Sequence, residues 1–245
     1  MRFPGRIAAA AFASLLIAGA ANAGDIASFR PIGFSPDGGI FAFEEYGIQD
    51  GSGFPYSSIF FIDTRKDAFL PDTPIRVRMD DENAGLSSAR AKAAAQAAPL
   101  VQKLALDAAP GLMAAFNPIT ETDSPAHSLT YRQYAMEPPV GGKFALALEE
   151  IALPPSAACK DVTPQSIGFR LSFKLEDGQP SQRLLHADQK IPESRNCPTG
   201  YRLGGVMVHH PDGKDPVHII LVQVLSFGFE GRDGHWIAVP APVTP

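Results

Sequence analysis

Between Ile167 and Leu175 five apolar residues, Ile167, Phe169, Leu171, Phe173 and Leu175, alternate with Gly168, Arg170, Ser172 and Lys174. A period of two places every apolar side chain on one face of an extended chain, whereas a helix needs apolar positions every three or four residues. This segment is therefore a strand with one face in a core. Asp177-Gly178 then turns the chain toward Leu184-Leu185 as a hairpin. Phe144, Leu146 and Leu148 alternate in the same way. Tyr201 to His209 and Val217 to Phe227 form a further hairpin around Pro211-Asp212-Gly213, and His235 to Val239 make a last short strand.

The first part of the chain also reads as β structure. Ser35-Pro36-Asp37-Gly38 has Ser first, Pro second and Gly fourth, the order that suits a type I turn. Phe29–Phe34 leads into it and Ile40-Phe41-Ala42-Phe43 leads out. After a Gly-rich stretch, Ile59-Phe60-Phe61-Ile62 gives four apolar residues in a row, which predicts a strand covered on both faces. Together these make a three-stranded meander. The 22 Gly, 23 Pro and 16 Phe of the 245 residues fit many short strands better than a helical bundle.

One stretch differs. Between Asp80 and Phe116 the residues are mostly Ala, Leu, Lys and Gln, with Asp80-Asp81-Glu82 ahead and Lys103 near the end, as a helix dipole favours. Pro99 divides this stretch, because an interior proline removes a hydrogen bond and crowds the preceding turn. The pattern predicts one helix over 84–97 and a second starting at Pro99, with Leu100 and Leu104 on the face that caps the sheet. Residues 117–142, with four prolines and Gly141-Gly142, read as a linker.

Residues 1–23 have the form of a secretory signal peptide. Arg2 and Arg6 precede an apolar run from Ile7 to Ala20, and Ala21-Asn22-Ala23 offers a small-x-small cleavage site before Gly24. The run is shorter than the roughly 20 residues of a membrane-spanning helix. Loss of two arginines shifts the formal charge from −5 to −7, a balance that argues against nucleic acid as a partner. No integral membrane segment is expected after cleavage. In an oxidising compartment Cys159 and Cys197 are most simply one disulfide, closing a loop worth about 4 kcal/mol on the chain-entropy model.

Two resemblances attach to the first strands. Phe34-Ser35-Pro36-Asp37-Gly38, with Phe41-Ala42-Phe43 and Ile59–Asp63, resembles one blade segment of TolB-type β-propellers. A longer stretch is similar to a bacterial family of predicted secreted proteins, a domain of unknown function. It runs from Gly33-Phe34-Ser35 through Phe43-Glu44-Glu45-Tyr46-Gly47 and Gln49–Tyr56, and resumes at Gly228-Phe229-Glu230-Gly231. That likeness implies export and a single family domain, and it implies no activity.

Chemistry is sparse. The block from Glu44 to Tyr56 gathers Glu44, Glu45 and Asp50 with Tyr46, Phe54 and Tyr56 among flexible glycines. Three readings are open: a long ordered loop whose carboxylates accept backbone hydrogen bonds, a ligand groove lined by its aromatics, or an oxygen-rich cation loop. As a strand, Glu44 and Glu45 would split to opposite faces, which is poor geometry for two carboxylates acting on one bond. A second group, His209 and Asp212 with His218 across the hairpin, holds metal-binding side chains without any recognised metal signature. No nucleophile elbow, phosphate loop or dinucleotide fingerprint is present, so neither catalytic residue nor cofactor is expected.

The expectation is a mainly β protein of antiparallel sheets, meander, sandwich or propeller-like, with an inserted Ala-rich helical segment. Its divisions are signal peptide 1–23 and one exported domain 24–245, made of meander 24–79, helical segment 80–116, linker 117–142 and disulfide-bearing β region 143–245. The expected role is a non-enzymatic binding or interaction module of the cell envelope, taking an envelope protein or a small ligand. A periplasmic metal-dependent hydrolase is the alternative.

Overall fold

The computed structural model describes residues 24–228 and 231–242; the expected signal peptide lies outside them. The meander forms as expected: β1 (Ser28–Phe34), β2 (Ile40–Ile48) and β3 (Pro55–Asp63) pair in sequence order, and β4 (Ala68–Phe69) and β5 (Ile75–Arg78) both pair with β3. The turn between β1 and β2 closes through the Gly38 N–H to Ser35 C=O bond at 2.8 Å, with Asp37 Oδ1 accepting from Ser35 Oγ and the Gly39 N–H. After helix α1 (Leu86–Lys103) come β6 (Leu112–Phe116) and β7 (Ser128–Tyr131). The remaining strands are β8 (Phe144–Leu153), β9 (Ser166–Glu176), β10 (Gln179–Pro180), β11 (Leu184–Ala187), β12 (Pro198–His209), β13 (Val217–Phe227) and β14 (Arg232–Pro242).

These strands make three antiparallel sheets. β1–β5 are the first; β6, β12, β13 and β14 form a central sheet in the order β14-β13-β12-β6; β7–β11 form the third around β8 and β9. The alternation along Ile167–Leu175 is β9, whose Phe169, Leu171 and Phe173 are fully buried. They meet Val206, Val208, Ile220, Val222 and Val224 of the central sheet. Neighbouring residues Met207, Ile219 and Leu221 point the other way and meet Phe41, Phe43 and Phe60 of the first sheet. Strand periodicity thus lets β12 and β13 build two cores at once, which explains their near-continuous apolar sequence. Each fully buried side chain of this size contributes about 1.5–3 kcal/mol. Among the described residues no sheet closes into a barrel or propeller.

Several local expectations are corrected. The helix is continuous across Pro99, where two helices were expected. Pro99 and Ala95, whose carbonyl loses its partner, both lie on the exposed face and water can satisfy that oxygen. The buried stripe Ala89, Ala93 and Ala97 packs on Ala42, Ile59, Phe61 and Val77, and Leu100, Val101 and Leu104 extend the contact past the proline. Leu112–Phe116, inside the expected helical segment, is instead the β6 edge of the central sheet. Ser128–Tyr131, inside the expected linker, is β7 and pairs with β8. The Glu44–Tyr56 block is not one long loop: β2 runs to Ile48, β3 starts at Pro55, and residues 49–54 make the turn.

The Cys159–Cys197 disulfide is formed, with Cα atoms 5.5 Å apart. It ties the segment after β8 to the start of β12. Among the described residues no helix is long and apolar enough to cross a membrane.

Candidate functional site

Alternation along β2 divides the acidic candidates. Glu44 and Tyr46 face α1. Glu44 is 1% exposed. Its Oε1 accepts from Ser57 Oγ and Arg90 Nε, both at 2.9 Å, and its Oε2 accepts from Arg30 Nε at 2.7 Å and Arg90 Nη2 at 2.9 Å. The Arg90 guanidinium also lies 3.8 Å from the Tyr46 ring centroid. Burial alone would raise the Glu44 carboxyl, but the hydrogen bonds from Arg90, Arg30 and Ser57 outweigh it and hold the group below its ordinary range. These two residues pin the helix to the first sheet.

Glu45 points the opposite way, toward the central sheet. Its Oε2 accepts the Trp236 backbone N–H at 2.9 Å, and His235 Nδ1 stands 3.6 Å from Oε1. Tyr56, on the neighbouring strand, donates its hydroxyl to Asp25 Oδ1 at 3.0 Å, and the Asp25 N–H donates to Asp233 Oδ1 at 3.0 Å. Gly47 makes this possible: a Cβ there would stand 2.9 Å from both Asp25 Oδ1 and the Tyr56 hydroxyl. Burial, opposed in part by the Tyr56 hydrogen bond, pushes the Asp25 carboxyl up to about 6. His235 loses basicity through burial but gains more from Glu45, so its value is raised.

The cluster stands at one end of a cleft of ≈ 1140 Å³. Phe43, Phe60 and Ile62 of the first sheet form its floor, and four consecutive β14 residues, Trp236–Val239, form a wall. Arg76 and Arg78 of β5 bound one side, Arg76 lying 5.7 Å from the Phe60 centroid. His186 and Arg195 bound the opposite side. Both are held by buried Asp188, His186 Nε2 at 2.9 Å from Oδ1 and Arg195 Nη1 at 2.7 Å from Oδ2. Arg195 lies over Phe169 and stands two residues before Cys197, so the disulfide anchors this side of the cleft.

Of the expected residues, Glu45, Asp50 and Tyr56 line the cleft. Glu44 and Tyr46 lie on the other face of the sheet, and Phe54 stacks beneath Arg78 at 5.7 Å. The histidine group does not converge. His209 stacks on Phe34 on the first-sheet side, with ring centroids 5.0 Å apart. His218 is buried on the third-sheet side, its Nδ1 2.7 Å from the Tyr131 hydroxyl, and burial drives it down to about 3. Asp212 is exposed in the turn between β12 and β13. Among the described residues, no three His, Cys, Asp or Glu side chains are arranged to hold a metal ion. Asp25, Asp233, His235 and Arg195 were not singled out from the sequence. Asp25, Arg195 and the Asp233–His235 pair lie far apart in the chain, and only pairing at the sheet edge and the nearby disulfide bring them together.

A family model described as "Predicted secreted protein (DUF2259)" matches residues 42–241. No curated protein matches the chain, and no solved structure does.

Proposed function

We propose that this chain, which belongs to the DUF2259 family of predicted secreted proteins, is a non-enzymatic binding module of the cell envelope that seats its ligand in the cleft between β3, β5 and β14. The observation that carries this reading is a separation. Glu44 and Tyr46 lie together against α1, and packed sheet separates them from His209 on Phe34 and from His218 on Tyr131, while Asp25, Glu45, Tyr56 and His235 gather at the end of one open cleft. An apolar floor with a few convergent polar groups is the usual make-up of a ligand site. Release after Ala23 would free Gly24 at the edge of this cluster, and N-terminal sequencing of the exported protein should begin there.

The test uses Asp50→Ala, a cleft residue on the β2–β3 turn. Thermal unfolding of wild type and variant is followed with sets of amino acids, short peptides, oligosaccharides and polyamines. A ligand present at a hundred times its Kd should stabilise the wild type by about 2.7 kcal/mol. It should leave the variant unshifted. Failure of every set to stabilise the wild type overturns the reading. So does a variant that loses about 1–3 kcal/mol of stability, as from a lost hydrogen-bond acceptor, yet still binds.

A further inference from the structure

The wall that β14 gives to the cleft is unusual in its make-up. Alternate side chains of a strand point to opposite faces, so four consecutive residues, Trp236–Val239, can line one cavity only if it runs along the strand's edge. That edge is the outer one of the central sheet. In an antiparallel pair every second residue turns both its N–H and its C=O away from the partner strand. Gly234 is one of these: its N–H donates to the Asp25 C=O at 2.7 Å, and its C=O accepts from the Ala27 N–H at 2.8 Å. The β13–β14 register has no shift, so Trp236, Ala238, Pro240 and Pro242 present their backbones outward in the same way.

Most of this edge is occupied or blocked. Asp25–Ala27 takes the Gly234 rung as a short parallel addition, and Glu45 takes the Trp236 N–H. At 240 and 242 proline removes the outward N–H, the device that keeps sheet edges from pairing. Between them Ala238 keeps its N–H. Among the described residues that N–H, the Ala238 C=O and the Trp236 C=O have no hydrogen-bond partner, and all face the cleft. Backbone groups arranged in this way recognise another extended main chain.

Charge identifies the kind of chain. Six carboxylates and three guanidinium groups line the cleft, and three of the carboxylates, on Asp25, Glu45 and Asp233, sit at the end where β14 is already capped. We propose that the open edge of β14 at Ala238 receives a short extended peptide with a basic side chain, added to the central sheet as a further strand. This rests on the cleft being the ligand site and names its ligand class. Ala238 exchanges hydrogen bonds with the peptide backbone, the apolar floor of Phe60 and Ile62 takes a peptide side chain, and the acidic end takes the lysine or arginine.

The experiment measures fluorescence anisotropy of labelled heptapeptides of alternating valine and serine. One series carries a lysine, a second a glutamate, and a third is the lysine series N-methylated at alternate residues so that the backbone cannot donate. The protein is tested as wild type and as Ala238→Pro. That substitution removes an N–H facing away from β13 and should leave the ladder intact, as Pro240 does in the same orientation. The lysine series should bind wild type, with at least tenfold weaker binding on exchange to glutamate, on N-methylation, or in Ala238→Pro. If Ala238→Pro does not fold, the N-methylated series on wild type decides alone. Equal binding of methylated and unmethylated peptides overturns strand addition while leaving the cleft as the site. If no peptide binds but another compound stabilises wild type and not Asp50→Ala, the peptide inference fails and the binding module stands. If neither binds, both fall.

Discussion

Tyr56 and Asp25, thirty-one residues apart, share a 3.0 Å hydrogen bond in which the phenol donates to the carboxylate. The bond fastens the face of the first sheet to the segment that runs beside β14. Burial pushes the phenol above its ordinary range, so it remains a donor at every pH of interest. The carboxylate is the titrating partner.

Asp25 has its folded value raised from 3.8 to about 6. Between those values the folded protein binds the proton more tightly than the unfolded chain, so this group's stabilising contribution is complete below pH 3.8 and is lost as pH rises through 6. His235, whose value is also raised, acts in the same direction at somewhat higher pH. Asp25→Asn should therefore stabilise the protein at pH 7 by about 1–2 kcal/mol, allowing for solvent in the cleft, and by little at pH 3.5. Urea unfolding across this range checks the sign. A variant less stable than wild type at pH 7 would contradict it.

Glu44 runs the other way. Its folded value is lowered, so its contribution is present above its unfolded value of 4.5 and disappears as pH falls through the folded one. Glu44→Gln should cost about 1–3 kcal/mol at pH 7, less than the roughly 3–5 kcal/mol of a fully buried pair that is broken, because Arg30 and Arg90 still reach water. The deficit should shrink in acid. Cleft binding should be unaffected, since Glu44 faces α1; reduced ligand affinity in a folded Glu44→Gln protein would count against this division of roles.

His218 is neutral in its apolar site, with a value of about 3 against an ordinary 6.5. Below pH 6.5 the unfolded chain takes up a proton that the folded one refuses, so stability falls with pH down to about 3. Its ring resonances should not titrate between pH 5 and 8. Replacing it by Phe should flatten the acid side of the stability profile relative to wild type, with the slope read from denaturant melts at four or five pH values.

The 38-residue separation of Cys159 and Cys197 implies a loss of about 4 kcal/mol when both become Ser. Because Asn196 and Arg195 precede Cys197 directly, the change should also loosen the Arg195–Asp188 pair and weaken any ligand held on that side of the cleft. Melting temperature and ligand affinity should fall together. A fall in stability with affinity unchanged would separate the disulfide from the cleft.

Sequence made much of the β framework legible. The alternation in β9, the Asp177-Gly178 turn and the Phe-rich meander are local patterns written in neighbouring residues, as is the splitting of Glu44 and Glu45 between two faces. The β6 strand was hidden because Leu112–Phe116 follows an Ala-rich helix and its residues are only half-buried, so no clear alternation marks it. Pro99 misled because the cost of an interior proline depends on whether its face is exposed, which composition does not carry. Glu45, Asp50 and Tyr56 were visible as polar and aromatic residues in a Gly-rich block. Asp25, Asp233 and His235 were not, since their proximity comes from strand pairing across 208 positions and no short spacing encodes it.

The central sheet has a consequence for the order of events during synthesis. Its long strands β12, β13 and β14 lie in the last fifty residues, yet they supply the surface on which both outer sheets close. Phe41, Phe43 and Phe60 of the meander and Phe144, Phe169 and Phe173 of the β8–β9 hairpin stay uncovered until β12–β14 follow them. Neither outer sheet can bury its core face before β12–β14 are made. That dependence makes β12–β14 the place where early termination would do the most harm.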